Sequence, residues 1–341
     1  MGWRLRGLVV GLILLGAGLV PLVASPGGCG ESTIGQTALG HEDGGAGQEP
    51  LDGPAQAEVQ PQVIVAAGDI SCKGCAQKKT AELIHSLSRA RPLAAILPLG
   101  DEAYGDGDLR EFQANYAPTW GTPELLALTH PVPGNHEYAE TNGDGYFDYY
   151  DGVGKPDGIA GVRGQGYYSF DIGSWHLVAL NTSDGCHAVS CDAGSPQQQW
   201  LAADLASHPT ACTLAFWHNP RFQGGTESGE TEEIGPLWET FHDFGGDVVL
   251  NAHEHNYQQL APLDRAGAPD PAAGIRTFIV GTGGAGFHST FGGAHEAAIE
   301  TRVVDAHGVL ELTLLEGSYR WRFVTVDGAV PDGASGSASC H

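Results

Sequence analysis

Five times along this 341-residue chain, an apolar run stops at a side chain able to ligate a metal. Residues 63–67 lead through Gly68 to Asp69, and residues 93–99 lead through Gly100 to Asp101. Residues 125–132 precede Asn135, residues 213–217 end at His218, and residues 247–251 are followed by His253 and His255. Short apolar runs of this kind read as buried strands. Open α/β sheets place ligand sites beyond the C-terminal ends of their strands, where loops converge over one edge. Packing gives a core strand no reason to end this way five times. The pattern points to one site assembled from remote segments.

Each residue also has an ordinary structural reading. An Asp after a strand is commonly a turn former or helix cap, Tyr104 suits a half-buried core position, and His218 suits a satisfied core histidine. Gly134-Asn-His-Glu137 reads equally as a turn with a capped helix behind it. His253 and His255 occupy alternate positions and face one side of an extended chain, which makes them the strongest pair. His41, His130, His176, His187 and His307 have no partner spacing that lifts them above structure or solvent. His288 and His295 lie in a Gly-rich loop that can line a cleft.

Between these points the chain alternates between helical and extended patterns. Residues 78–89 carry Ala81, Leu83, Ile84 and Leu87 at helical spacing. Residues 167–170 and 175–180 flank Asp171-Ile-Gly-Ser174 as a hairpin. Ser195, Pro196 and Gln198 supply an N-cap, a first-turn proline and a capping-box partner. Residues 275–280, 301–304, 309–315 and 319–326 read as consecutive antiparallel strands.

Forty-one acidic against 16 basic residues give a formal charge of −25. Such a surface repels nucleic-acid backbones and anionic membranes, which excludes a general phosphate-backbone binder. A site for a phosphate ester then needs local positive charge, and metal ions can supply it. Arg4 and Arg6 precede an apolar stretch that ends near Ala24 and Ser25, the pattern of an export signal over residues 1–25. An uncleaved anchor and a weak lipoprotein site at Cys29 are the alternatives, and the expected location is secreted or on the cell-envelope exterior. Residues 26–60 are rich in Gly, Glu, Gln and Ala and read as a flexible acidic linker, with the folded domain over 61–341. Six further cysteines in an exported chain suggest disulfides. Closeness in sequence favours Cys72–Cys75 and Cys186–Cys191, leaving Cys212–Cys340, although several pairings are open.

The order Gly68-Asp69, Gly100-Asp101-x-x-Tyr104, Gly134-Asn135-His136-Glu137, Trp217-His218 and Ala252-His253-Glu-His255 resembles the calcineurin-like metallophosphoesterases. Its tyrosine at position 104 and the Gly281-Thr-Gly-Gly284 turn are similar to the purple acid phosphatase branch, among exported bacterial metallophosphoesterases. That resemblance runs from about Pro61 to the C-terminus. It implies an α/β fold, a four-layer αββα sandwich of two mixed β-sheets with the metals at the strand ends. It implies two metal ions: Fe(III) held by Asp69, Tyr104 and His255, and Zn, Fe(II) or Mn held by Asn135, His218 and His253, with Asp101 bridging. Hard anionic ligands suit Fe(III), and a phenolate on Fe(III) would colour the protein.

The implied activity is hydrolysis of phosphate monoesters, and of diesters as a further option, by in-line attack of metal-activated hydroxide. His136 is then the proton donor to the leaving group, Glu137 its orienting partner, and Arg221 a phosphate contact beside His136 and Asn135. The alternatives are a non-catalytic extracellular binding protein on the same scaffold, and a disulfide-stapled structural protein with incidental histidines. The chain departs from the family pattern at Ser71, where other branches have a ligand histidine, and at Ala252, where glycine is usual. Residues 143–164, 183–194 and 224–235 are expected to form the rim that selects the substrate.

Overall fold

The computed structural model describes residues 60–139, 142–210 and 212–341. The expected export signal, and the linker apart from Gln60, lie outside the described residues. In chain order the strands are β1 Gln62–Ala67, β2 Ala95–Pro98, β3 Asp157–Gly158, β4 Gly161–Val162, β5 Tyr168–Ile172, β6 Trp175–Ala179 and β7 Cys212–Phe216. They continue with β8 Val248–Asn251, β9 Tyr257–Leu260, β10 Arg276–Val280, β11 Ile299–Val303, β12 Gly308–Leu315, β13 Ser318–Thr325 and β14 Ser335–Ser339. The α-helices are α1 Gln77–Ala90, α2 Leu109–Glu111, α3 Pro123–Leu126, α4 Asp144–Tyr150, α5 Pro196–Ser207 and α6 Gly235–Asp243.

Two mixed sheets carry the fold, one ordered β14-β13-β12-β1-β2 and the other β11-β9-β10-β8-β7-β6-β5. Strand periodicity assigns the layers. In β6, β7, β8 and β10 the side chains of Leu177, Leu214, Phe216, Leu250 and Phe278 enter the core shared with the other sheet. Their neighbours Val178, Ala215, Trp217, Val249 and Ile279 pack on the opposite face with Leu201 and Leu205 of α5 and Leu237 and Phe241 of α6. Successive strand residues point to opposite faces, so a sheet covered on both sides reads as a continuous apolar run. Thr80, Ala81, Ile84 and Leu87 of α1 are buried, and α1 lies on the five-stranded sheet. The result is the expected αββα sandwich. Tyr257 stacks on Phe323 at 4.4 Å, and Trp321 Nε1 donates to Gln259 Oε1 at 2.8 Å, which ties the two sheets together.

Several elements differ from their sequence reading. Residues 125–132 do not form a strand: Pro123 starts the short α3, and only Thr129 bridges to Ile96. The four C-terminal runs divide between the sheets. β10 pairs in parallel with β8, while β11 pairs with β9; β12 and β13 form their own hairpin in the other sheet. β9 and β14 carry no clear apolar signal (Tyr-Gln-Gln-Leu and Ser-Gly-Ser-Ala-Ser) and are found only in the structure. Ser195 caps α5 through Gln198 N, but the Gln198 side chain accepts from Gly194 N rather than closing a box on Ser195.

Among the described residues the disulfides are Cys72–Cys75, Cys186–Cys191 and Cys212–Cys340. Among the described residues no helix is long and apolar enough to cross a membrane.

Candidate metal centre

Asp69 lies two residues beyond β1, Asp101 three beyond β2, and His218 two beyond β7. His253 and His255 occupy the β8–β9 turn, and Asn135 begins the 3-10 turn His136–Tyr138. Asp69, Asp101 and His253 adopt φ of 58°, 52° and 68°, a left-handed backbone that non-glycine residues seldom take. Such conformations cost on the order of 1–3 kcal/mol each and persist only where surrounding structure enforces them. Close approach enforces them here. A Cβ on Gly134 would lie 2.1 Å from Asp101 Oδ1, and one on Gly68 would lie 2.5 Å from the Ala252 Cβ. Ala252 is therefore accommodated, with Gly68 opposite it; the left-handed turn falls on His253 instead.

The side chains converge. Tyr104 Oη donates to Asp69 Oδ1 at 2.7 Å and sits 2.9 Å from His255 Nε2, which is 3.3 Å from Asp69 Oδ1. His218 Nε2 lies 3.2 Å from Asn135 Oδ1, 3.2 Å from His253 Nδ1 and 3.4 Å from Asp101 Oδ2. Asp69 joins the two groups, because its Oδ2 accepts from the backbone N–H of His253 at 2.8 Å. Asp101 Oδ1 likewise accepts from His136 N at 3.0 Å, which leaves Oδ2 for the cluster. His218 Nδ1 and His255 Nδ1 donate to the carbonyls of Leu99 and Gly286 at 2.7 and 2.6 Å, so their Nε2 atoms face the centre. Tautomers fixed by outer hydrogen bonds are what metal-ligating histidines require. All seven expected ligands meet at one place.

Electrostatics follow from that crowding. Burial pushes Asp69 and Asp101 up, but neighbouring imidazoles outweigh it, His255 for Asp69 and His218 for Asp101, and both carboxyls end below their ordinary range. Burial works against protonation of His218 and His255, yet Asp101 and Asp69 respectively raise them to about 9. His253 is lowered to about 4, by burial first and then by His218. Tyr104 is pushed well above a free phenol by burial and by the Asp69 and Asp101 charges. His218, His255 and Tyr104 thus hold protons that a cation would displace, while Asp69 and Asp101 are already ionised.

His136 is one-third exposed, with its ring 4.3 Å from that of Tyr104. Its Nδ1 donates to Gly105 O at 2.7 Å, and its Nε2 points toward Asp101 Oδ2 at 3.9 Å. Glu137 does not orient it. The buried Glu137 carboxylate accepts from the backbone N–H groups of Asp101, Ala103 and Gly134, at 2.9, 3.1 and 2.8 Å. Its role is to hold the loop that presents Asp101. Arg221 lies over the Phe222 ring, with Cζ 4.5 Å from the centroid. His295 is taken up by Glu230 at 2.6 Å. His288 stacks on His255 at 4.0 Å and 7°, a contact that its loop position only hinted at. Ser71 donates to Glu102 O, away from the cluster. From the expected rim, Ser228 Oγ donates to His253 O at 2.7 Å.

A family model described as calcineurin-like phosphoesterase matches residues 54–257. The chain belongs to that family. Family membership implies two metal ions, and the residues present fit them: two buried carboxylates, a phenol, an amide and three imidazoles meet at a common point. An uncharacterized Mycobacterium tuberculosis protein is 31% identical over 155 residues, 39% of this chain and 28% of that protein. Acid phosphatase type 7 of Danio rerio is 27% identical over 205 residues, 49% of this chain and 42% of the relative. This phosphoesterase chain thus spans less than half the length of those curated relatives. A purple acid phosphatase from yellow lupin (Lupinus luteus) seeds shares the fold, with a TM-score of 0.66 at 17% identity over 83% of this chain and 54% of that one.

Proposed function

We propose that this phosphoesterase family member is an exported hydrolase of phosphate monoesters, with diesters as secondary substrates. The observation that carries the reading is the meeting of Asp69, Tyr104 and His255 with Asn135, His218, His253 and Asp101 beside the partly exposed His136, whose Nε2 faces Asp101. Asp69, Tyr104 and His255 would hold Fe(III); Asn135, His218 and His253 would hold Zn, Fe(II) or Mn; Asp101 would serve both. Bound there, the metal pair supplies a nucleophile at neutral pH and positive charge against the phosphoryl oxygens.

The chain's own residues do the rest. Gly105 O fixes the His136 ring through Nδ1, so Nε2 is the atom that delivers a proton to the leaving alkoxide oxygen. Asn135, with its backbone adjoining His136, places the phosphate next to that donor. Arg221 contributes the outer phosphate contact by turning away from Phe222. Three disulfides and the acidic surface suit an oxidising exterior.

The test compares a chromogenic phosphate monoester with a diester. His136→Ala should retain its metals and lose on the order of 10²–10⁴ in kcat. Asn135→Ala should lose activity together with metal. Full activity in both variants would end the proposed roles. A visible absorption band lost in Tyr104→Phe would support the Fe(III) assignment, and a colourless active protein would overturn it.

A further inference from the structure

At the N-terminal end of the parallel strands in the seven-stranded sheet, opposite the end that carries the centre, a second group of histidines and carboxylates meets. His176, on β6, is 1% exposed. Its Nδ1 donates to Asp171 Oδ1 on β5 at 2.8 Å, and its Nε2 lies 2.8 Å from Asp204 Oδ2 on α5. Asp204 Oδ1 accepts from Ser169 Oγ at 2.8 Å and sits 3.4 Å from His208 Nδ1, which donates to the Asp204 backbone carbonyl at 2.8 Å. Asp204 and His208 are four residues apart where α5 ends, so both reach the same side. The His176 and His208 rings stack at 4.2 Å and 11°. One ligand atom from each of His176, Asp204 and His208 can be chosen so that all lie within 4.8 Å of one another.

We infer that His176, Asp204 and His208 form a further divalent-cation site, of the zinc type. Asp171 lies behind it, joined to the outer nitrogen of His176. The arrangement repeats what metal-binding histidines need: one ring nitrogen held by a carboxylate outside the site, the other turned toward a second carboxylate and a second imidazole. Two imidazoles and a carboxylate are a donor set that zinc takes at tetrahedral distance, with the fourth position left to water. Binding replaces the proton at His176 Nε2, which leaves to solvent, while the Nδ1–H stays on His176 and keeps its hydrogen bond to Asp171. A simple ion pair would need only His176 and Asp204. The second histidine and the second carboxylate are what point to a cation, as does a chain with net charge −25. His208 is the adjustable ligand, because it ends the helix beside an open recess lined by Leu205, Pro209, Thr210 and Phe244. The cation would pin the β5–β6 hairpin to α5, well away from the atoms that handle the phosphate ester.

The site is tested on the full chain, stripped with a chelator, reloaded with zinc and freed of loosely held ions. Elemental analysis should find about one zinc more in the wild type than in His208→Gln or Asp204→Asn. Excess zinc should raise the melting temperature of the wild type more than that of either variant. His208→Gln changes a partly exposed position, and Asp204→Asn keeps an acceptor for Ser169, so both chains are expected to fold. A cooperative melting transition of both variants without added zinc serves as the folding control and keeps this result separate from the fate of the proposed enzyme, on which the site does not depend. Equal zinc content in all three chains would overturn the site and leave an ion-paired histidine. A zinc-induced melting shift of equal size in all three would overturn it too.

Discussion

Glu137 shows how a single side chain sets the geometry of a centre it does not enter. Its carboxylate gathers three backbone N–H groups that would otherwise be buried and unsatisfied, and one of them belongs to Asp101. Burial, then the Asp101 charge, raises its pKa to about 7. An orphaned buried donor costs on the order of 1–3 kcal/mol. Glu137→Ala should therefore lower the unfolding free energy from urea titration by about 2–5 kcal/mol and reduce bound metal, with Glu137→Gln recovering part of both. Wild-type stability and metal content in the alanine variant would show that the loop holds itself. The sequence exposed most of the candidate ligands because Asp69, Asp101, Asn135, His218 and the His253/His255 pair each follow an apolar run. It hid the work of Glu137, because adjacency to His136 suggested a partner that the folded loop does not provide. His176 was hidden for a related reason: its partners Asp204 and His208 lie 28 and 32 residues away and share no spacing with it.

At the scale of elements, strands β1, β2, β7 and β8 end at one edge, and just beyond β1, β2 and β8 the residues Asp69, Asp101 and His253 adopt left-handed backbone. Apolar runs reveal such strands well. They mislead where a helix start is embedded, as Pro123 showed in residues 125–132, and they miss polar edge strands such as β14, whose pairing with β13 needs no apolar side chains. The connection out of α3 is held by His130, whose N–H bonds Ile96 O and whose ring stacks on Phe170 of β5 at 3.8 Å. Burial lowers the His130 pKa below its ordinary value of 6.5. The folded state therefore favours neutral His130, and the unfolded chain takes up its proton first as pH falls. Its contribution is fully present above about pH 6.5 and diminishes as pH drops from there toward the folded pKa. Melting curves should show the wild type losing stability relative to His130→Phe between about pH 7 and pH 5. A difference that stays constant across that range would contradict this account of the loop.

Across the molecule, two sheets face each other, and a helix layer on each outer face closes the sandwich. That architecture followed from the family pattern, while the division of the C-terminal strands between the sheets did not, since alternation cannot say which sheet a strand joins. Cys212–Cys340 then links the start of β7 in one sheet to the chain that leaves β14 in the other, across 128 residues. Closing so long a loop limits the unfolded chain, and its removal typically costs about 2–5 kcal/mol. Cys212→Ala combined with Cys340→Ala should show that loss in urea unfolding, and an unchanged midpoint would mean the sheets need no tether. The central claim is that seven side chains, distant in sequence, hold one pair of metal ions with Asp101 shared between them. Elemental analysis in the His208→Gln background, which removes the separate site, tests it most directly. The account predicts about two tightly held transition-metal ions per chain, falling to one or fewer when Asp101→Ala is added. Retention of both ions without Asp101, or absence of any in the intact centre, would contradict it.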